Sequence, residues 1–394
     1  ERTDVYLMID KRLVPFSGLK KEPFSGSHQG MRYYLAGDDG KNSTTFTAYV
    51  YPEPWCFEET PDDQKESASF PLSEEGMDQA TIDRLFEEVK TELIPLVEQI
   101  TAKKMPENPT FHAYADPDAQ RRVQWLLLDY IGFRRDAGAV GETEHPFTTN
   151  FSSKDVRVTN HYYETEPLSA MFSAIHEGGH AIFEQNVNPE YDNTVAGSCC
   201  YMGVHESQSR FYENILGRNI NFWKPIYEKL GELLPQFKNV TLEAFEREIN
   251  RVENSMVRTE ADEVTYCFHI ILRYEMEKAI FYDHVPVEKL PELWNQKMQE
   301  YLHITPENDA EGILQDVHWS DGSFGYFPSY LLGSIYDGMY LEKLEEELGS
   351  VDEILTDGRI GEITKWLNEK IHWYGSTRTP KEVIAAVSGK EVSA

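Results

Sequence analysis

Residues 174–185 read AIHEGGHAIFEQ. His176 and His180 stand four positions apart, and Glu177 directly follows the first of them. Leu168, Met171, Phe172, Ile175, Ile182 and Phe183 fall on one stripe, which predicts a helix over 167–186 with that stripe buried. On such a helix the two histidines project from adjacent turns toward the same side. That spacing lets two imidazoles reach one tetrahedral zinc ion at about 2.0–2.1 Å. Glu177 flanks the same point and is suited to hold a water and take its proton. The competing reading is an ordinary helix. With 12 histidines and 68 acidic residues in 394, the pattern arises by chance about once in twenty such chains or fewer. Gly178 and Gly179 each cost a helix about 1 kcal/mol against alanine, so close approach of a strand, a helix or a substrate is expected there.

A catalytic zinc needs a third protein ligand and an open position. Glu184, Glu190, Glu206 and Glu213 lie within reach along the chain. Glu184 shares the helix, but three successive turns of one helix do not curl around one ion. Glu206 sits in GVHESQSRFYENILG on the next predicted helix, over 201–216, and antiparallel packing of the two helices brings it to the histidines.

Around this pair the chain is mainly helical. Leu85, Val89, Leu93, Leu96 and Val97 repeat at helical spacing, with Pro95 as a kink or an end. Asp116 is an N-cap followed by Pro117, and Leu216-Gly217 reads as a C-terminal cap. Further helices are expected at 241–283, 287–303, 328–348 and 359–373. HPFTTNFSSKDVRVTNHYY, 145–163, alternates and reads as two short strands joined at SSKD. Upstream, 31–55 reads as a hairpin around GDDGKN, and 61–76 as a linker.

The net charge of −31 repels phosphate backbones and disfavours a nucleic-acid partner. No run of about 18 apolar residues is present, so no membrane span is expected. Glu1 stands where a methionine would, which reads as a fragment or a processed product. Four cysteines without a Cys-x-x-Cys pair favour a reducing compartment and no thiolate zinc site.

Six ordered motifs carry a wider resemblance: HPF at 145–147, DVRVT at 155–159, HEGGH at 176–180, HESQ at 205–208, VRTEAD at 257–262 and GYFPSY at 325–330. Together they resemble the Taq-type family of metallocarboxypeptidases over about 77–390. The resemblance implies an elongated, mostly helical fold with a deep groove and a short sheet beside the histidine helix. It implies zinc, or cobalt, held by His176, His180 and Glu206, with Glu177 as general base and acid. It implies a substrate site lined by His145, Arg157, Arg258 and Tyr326, and removal of single residues from the free C-terminus of peptides. A cytoplasmic homodimer belongs to the same expectation. Arginine suits recognition of a free carboxylate because its planar fork binds both oxygens, and Arg258 is the first choice for that anchor. Tyr326 or His145 suits a developing oxyanion. The strand at 155–159 is expected to pair with the extended peptide. His205 is expected to orient its neighbour's carboxylate.

Residues 1–75 do not share the resemblance. They read as a small β-rich segment of unknown role, with the helical catalytic domain over 76–394 lacking the family's N-terminal helices. Two other functions stay open at this point: a zinc endopeptidase with an open-ended groove, and an inactive peptide-binding protein that keeps its metal.

Overall fold

The computed structural model describes strands at 6–9, 12–15, 20–25 and 29–34, residue 74, and residues 76–103, 105–106, 108–197 and 201–394. The chain divides into two compact units, Glu1–Ala68 and Ser69–Ala394. In the first, β1 (Tyr6–Ile9) pairs antiparallel with β2 (Arg12–Pro15), and β3 (Lys20–Ser25) with β4 (Gln29–Tyr34). Of the hairpin expected around GDDGKN only the start is described. Residues 31–34 of its first strand lie in β4, which pairs with β3 upstream; residues 35–73, with the rest of that hairpin and most of the linker, lie outside the described residues.

The second unit opens with α1 (Gln79–Thr101), capped by Asp78, whose carboxylate accepts from the Thr81 amide at 2.7 Å. Pro95 does not end it; α1 runs on for six residues. The carbonyl that proline orphans belongs to Thr91, an exposed residue, so its loss is mild. α2 (Pro117–Ile131) starts as read, with Asp116 accepting from the Ala119 amide. It ends at Gly132, whose φ of 104° only glycine adopts freely.

A three-stranded sheet follows: β5 (Gly138–Glu142), β6 (Thr148–Ser152) and β7 (Asp155–Asn160), in the order β5-β7-β6. β6 and β7 form the antiparallel pair expected, turning at Ser153-Lys154. β5, parallel to β7, has no strand signature in GAVGE and was legible only from tertiary pairing. Its position corrects one expectation. β7 is the central strand, bonded on both sides, and has no edge left for a peptide. β6 is the edge strand on the other side.

α3 (Pro167–Asn186) carries the two histidines and buries Met171, Phe172, Ile175, Ile182 and Phe183 as expected. α4 (Met202–Arg210) carries Glu206. α4 passes straight into a π-helical turn over Phe211–Leu216, so 201–216 is not one regular helix. The chain continues through α5 (Ile220–Trp223), α6 (Tyr227–Leu233), α7 (Leu242–Ile249), α8 (Tyr266–Phe281), α9 (Leu290–Leu302) and α10 (His318–Asp321). It closes with α11 (Pro328–Leu348), α12 (Val351–Thr356), α13 (Ile360–Lys370) and α14 (Pro380–Ser388). The single helix expected over 241–283 is α7 and α8 with an irregular stretch between them, including a 3-10 turn at Arg258–Glu260.

Backbone proximity positions α4. A Cβ on Gly179 of α3 would stand 2.6 Å from the Gln208 carbonyl oxygen and 2.7 Å from the Ser209 Cα. A Cβ on Gly333 of α11 would stand 3.0 Å from the Ser207 amide nitrogen on the other flank. Glycine is required at Gly179 because another main chain occupies its side-chain space. Among the described residues no helix is long and apolar enough to cross a membrane.

Candidate metal centre

His176, His180 and Glu206 converge: one ligand atom from each lies within 4.8 Å of the others. Glu206 Oε2 is 3.7 Å from His176 Nε2 and 3.4 Å from His180 Nε2. α3 presents both Nε2 atoms from consecutive turns, and the α3–α4 backbone contact brings Glu206 opposite them.

The far side of each imidazole is held. His176 Nδ1 lies 2.7 Å from Glu213 Oε2. Glu213 lies in the π-helical turn, seven residues after Glu206. His180 Nδ1 lies 2.6 Å from His205 Nδ1, and His205 Nε2 lies 2.7 Å from Glu184 Oε1. Asn150 of β6 donates to the other Glu184 oxygen at 2.7 Å. One proton arrangement satisfies all of these contacts. His205 donates from Nε2 to Glu184, His180 donates from Nδ1 to His205, and His176 donates from Nδ1 to Glu213. The Nε2 lone pairs of both triad histidines then face Glu206, as a metal requires. His205 therefore braces a member of this triad, but that member is His180 rather than the neighbouring Glu206 carboxylate.

The electrostatics favour a cation at the centre. Burial opposes a charged His176, but the Glu206 and Glu213 carboxylates outweigh it and raise its pKa to about 9. Burial also opposes a charged Glu206, yet His176 and His180 hold its pKa down at about 2. Burial keeps His180 below the usual histidine range, hence neutral and able to ligate. Two nitrogens and one carboxylate oxygen, each held from behind, are a donor set that fits a divalent ion such as zinc.

Glu177 is buried beside this centre. Thr148 Oγ1 on β6 stands 2.6 Å from Glu177 Oε2 and 3.0 Å from the Glu177 carbonyl oxygen. Thr148 and Asn150, two apart on one face of β6, thus reach Glu177 and Glu184 respectively. Neither stood out in the sequence; the only signal was the alternation of TTNFS.

The predicted substrate residues distribute unevenly. Tyr326 packs against Tyr330 with ring centroids 5.3 Å apart. Burial, then the Glu206 charge, raises its pKa, so it keeps its proton. Arg258 is buried; its Nε and Nη2 donate to Asp316 Oδ1 at 2.9 and 2.8 Å and its Nη1 to the Tyr266 hydroxyl at 3.1 Å. Arg157 lies exposed on β7, paired with Asp155 at 2.9 Å. His145 is exposed, its carbonyl accepting from Thr143 Oγ1. Neither Arg157 nor His145 contacts the triad among the described residues. Asp316 and Tyr266, which hold Arg258, were not foreseen.

The family model described as carboxypeptidase Taq (M32) metallopeptidase matches residues 61–394, starting upstream of the point where the resemblance was expected to begin. Carboxypeptidase 1 of Bacillus subtilis is 46% identical over 341 residues, covering 86% of this chain and 67% of that protein. Thermostable carboxypeptidase 1 of Thermus thermophilus is 38% identical over 322 residues, covering 82% and 63%. Among solved structures, the M32 carboxypeptidase of Deinococcus radiodurans superposes with a TM-score of 0.79 at 30% identity, covering 81% of this chain and 65% of that one. The chain thus spans about two thirds of the length of these relatives. Matched over most of its length by this family model, and carrying on α3 and α4 three convergent residues able to hold a metal ion, the chain belongs to the carboxypeptidase Taq (M32) family of metallopeptidases.

Proposed function

We propose that this chain is a zinc metallocarboxypeptidase that removes single residues from the free C-terminus of peptides. The convergence of His176, His180 and Glu206 beside Glu177 carries the reading, and the carboxypeptidases to which the chain is similar support it. His176, His180 and Glu206 would hold the ion. An ion such as zinc held there would supply Lewis acidity, polarising a carbonyl and acidifying water. Glu177, braced by Thr148, takes the proton of the attacking water and returns it to the departing amine. Tyr326, protonated and near Glu206, donates to the oxygen that gains charge at the scissile carbon. The free edge of β6, whose Thr148 touches Glu177, pairs with the extended peptide. Arg258, His145 and Arg157 complete the proposed substrate site. A cytoplasmic setting and a homodimer belong to the same proposal and rest on the family resemblance.

The deciding experiment is mass spectrometry of a mid-length peptide, with a free or an amidated C-terminus, incubated with the zinc-loaded protein. The expected result is a ladder shortened one residue at a time from the free C-terminus, abolished by a chelator. Cleavage of the amidated peptide at internal bonds would make the chain an endopeptidase. No cleavage by folded, zinc-bound protein would leave a metal-containing protein without this activity.

A further inference from the structure

An exopeptidase must place a positive charge about one residue, roughly 3.8 Å of chain, beyond the bond it cuts. Arg258 is the obvious anchor in sequence, but the planar edge that would grip a carboxylate is turned onto Asp316. Arg273 is paired to the same Asp316 from the other side.

Arg210 differs. It lies four residues after Glu206 on α4, so both side chains leave the same face from adjacent turns, about 5–6 Å apart at Cβ. It is only 5% exposed. Its Nε donates to Ser334 Oγ of α11 at 2.5 Å, and its guanidinium lies 4.4 Å from the centre of the Tyr266 ring. Its two terminal nitrogens have no acceptor among the described residues. The Glu206, Glu213 and Asp337 carboxylates act on it at longer range, but among the described residues none is within 4 Å of it. A buried guanidinium without a direct anionic partner is costly unless another group supplies the charge. Here the unpaired fork stands one helical turn from the metal ligand, under the same tyrosine that Arg258 holds by its hydroxyl.

We propose that Arg210 receives the terminal carboxylate of the substrate, and that Arg258 acts as a positioning residue that fixes Tyr266 above it. Ser334 holds Nε, so the terminal nitrogens are left to form the two parallel bonds a carboxylate accepts. This rests on the carboxypeptidase reading above. It assigns the substrate's negative charge to α4, the same helix that carries Glu206.

The test compares zinc-loaded wild type, R210Q, R210K and R258Q on one peptide as free acid and as C-terminal amide. Zinc stoichiometry is measured for each. R210Q with full zinc is expected to raise KM for the free acid about 10- to 100-fold, the loss of one charge-assisted contact, with kcat changed less. The free acid, offered as a competing product, should lose its advantage over the amide as an inhibitor by a similar factor. R210K should recover part of both. R258Q should keep more of the preference for the free acid than R210Q. Wild type that trims no free C-terminus defeats the carboxypeptidase reading itself. Wild type that trims, with R210Q retaining zinc, KM and free-acid preference, overturns the assignment to Arg210. If R210Q loses zinc, R210K decides: zinc retained with a raised KM supports the anchor, whereas unchanged KM, or loss of zinc here as well, assigns Arg210 to holding Glu206 and overturns the proposal.

Discussion

His180 and His205 meet through their Nδ1 atoms at 2.6 Å, and the opposite nitrogen of His205 rests on Glu184. A triad imidazole is therefore aimed by a second imidazole, which is aimed in turn by a carboxylate pinned to β6 through Asn150. Removing the middle member leaves His180 free to rotate and to change tautomer. H205F is expected to weaken zinc binding about 10- to 100-fold, as loss of outer-shell partners does. Chelator competition measures it, and a zinc affinity equal to wild type would show that packing alone aims His180.

Thr148 braces the proposed general base. In T148V the Glu177 side chain loses its hydroxyl partner while every ligand contact stays. Expected is a fall in kcat of about tenfold with zinc content unchanged, a fraction of what E177Q should cost. Steady-state kinetics beside metal analysis separates the two; equal losses of zinc and turnover would count against a role confined to Glu177.

The two adjacent glycines of α3 should respond differently to alanine. A methyl at Gly178 meets the tips of Ile131 and Leu128, which can move. A methyl at Gly179 meets main-chain atoms of Gln208 and Ser209, which cannot move without displacing α4. G179A is expected to destabilise by about 2–3 kcal/mol, net of the gain in helix propensity, and to lose zinc; G178A should lie within about 1 kcal/mol of wild type. Denaturant unfolding of both variants is the check.

Much of this was legible in sequence, and the limits are physical. α3 and its buried face followed from periodicity and spacing, because a helix fixes which side chains share a side, whereas the choice of Glu206 among four glutamates leaned on the family resemblance. Helix α11 matched its expected span for the same reason. The break between α7 and α8 was not legible, because the residues around Arg258 leave the helix to meet Gln315 and Asp316, partners about 60 positions away. Glu213 could not be placed on His176 either. Seven residues after Glu206 is two turns on along the same face, and which histidine it reaches there depends on the packing of α4 and the π-helical turn against α3, which spacing alone does not give. β5 lacked a strand signature because its pairing with β7, not its composition, makes it a strand.

Glu277 gives a pH signature away from the metal. It accepts from Trp319 Nε1 and the Gly325 amide through one oxygen, and the other has no partner. Burial raises its pKa from 4.5 to about 7. The folded state then holds this proton across a window in which the unfolded chain releases it. Its contribution to stability is complete below pH 4.5 and is lost as pH rises to about 7, by up to about 3 kcal/mol. E277Q should flatten that decline, which urea unfolding at several pH values would reveal; an unchanged slope would assign the proton elsewhere.

The seating of α4 between Gly179 and Gly333 bears on which ions the centre accepts. The spacing of α3 from α4, which carry the histidines and Glu206, is set by main chain against main chain at Gly179. Two nitrogens and a carboxylate suit ions such as zinc and cobalt, whereas calcium asks for six to eight oxygen ligands that this pair of helices does not supply. Because the backbone fixes where the three donors start from, the order of affinities, zinc and cobalt far ahead of calcium, should survive substitutions around the site better than it would in a site built on loops.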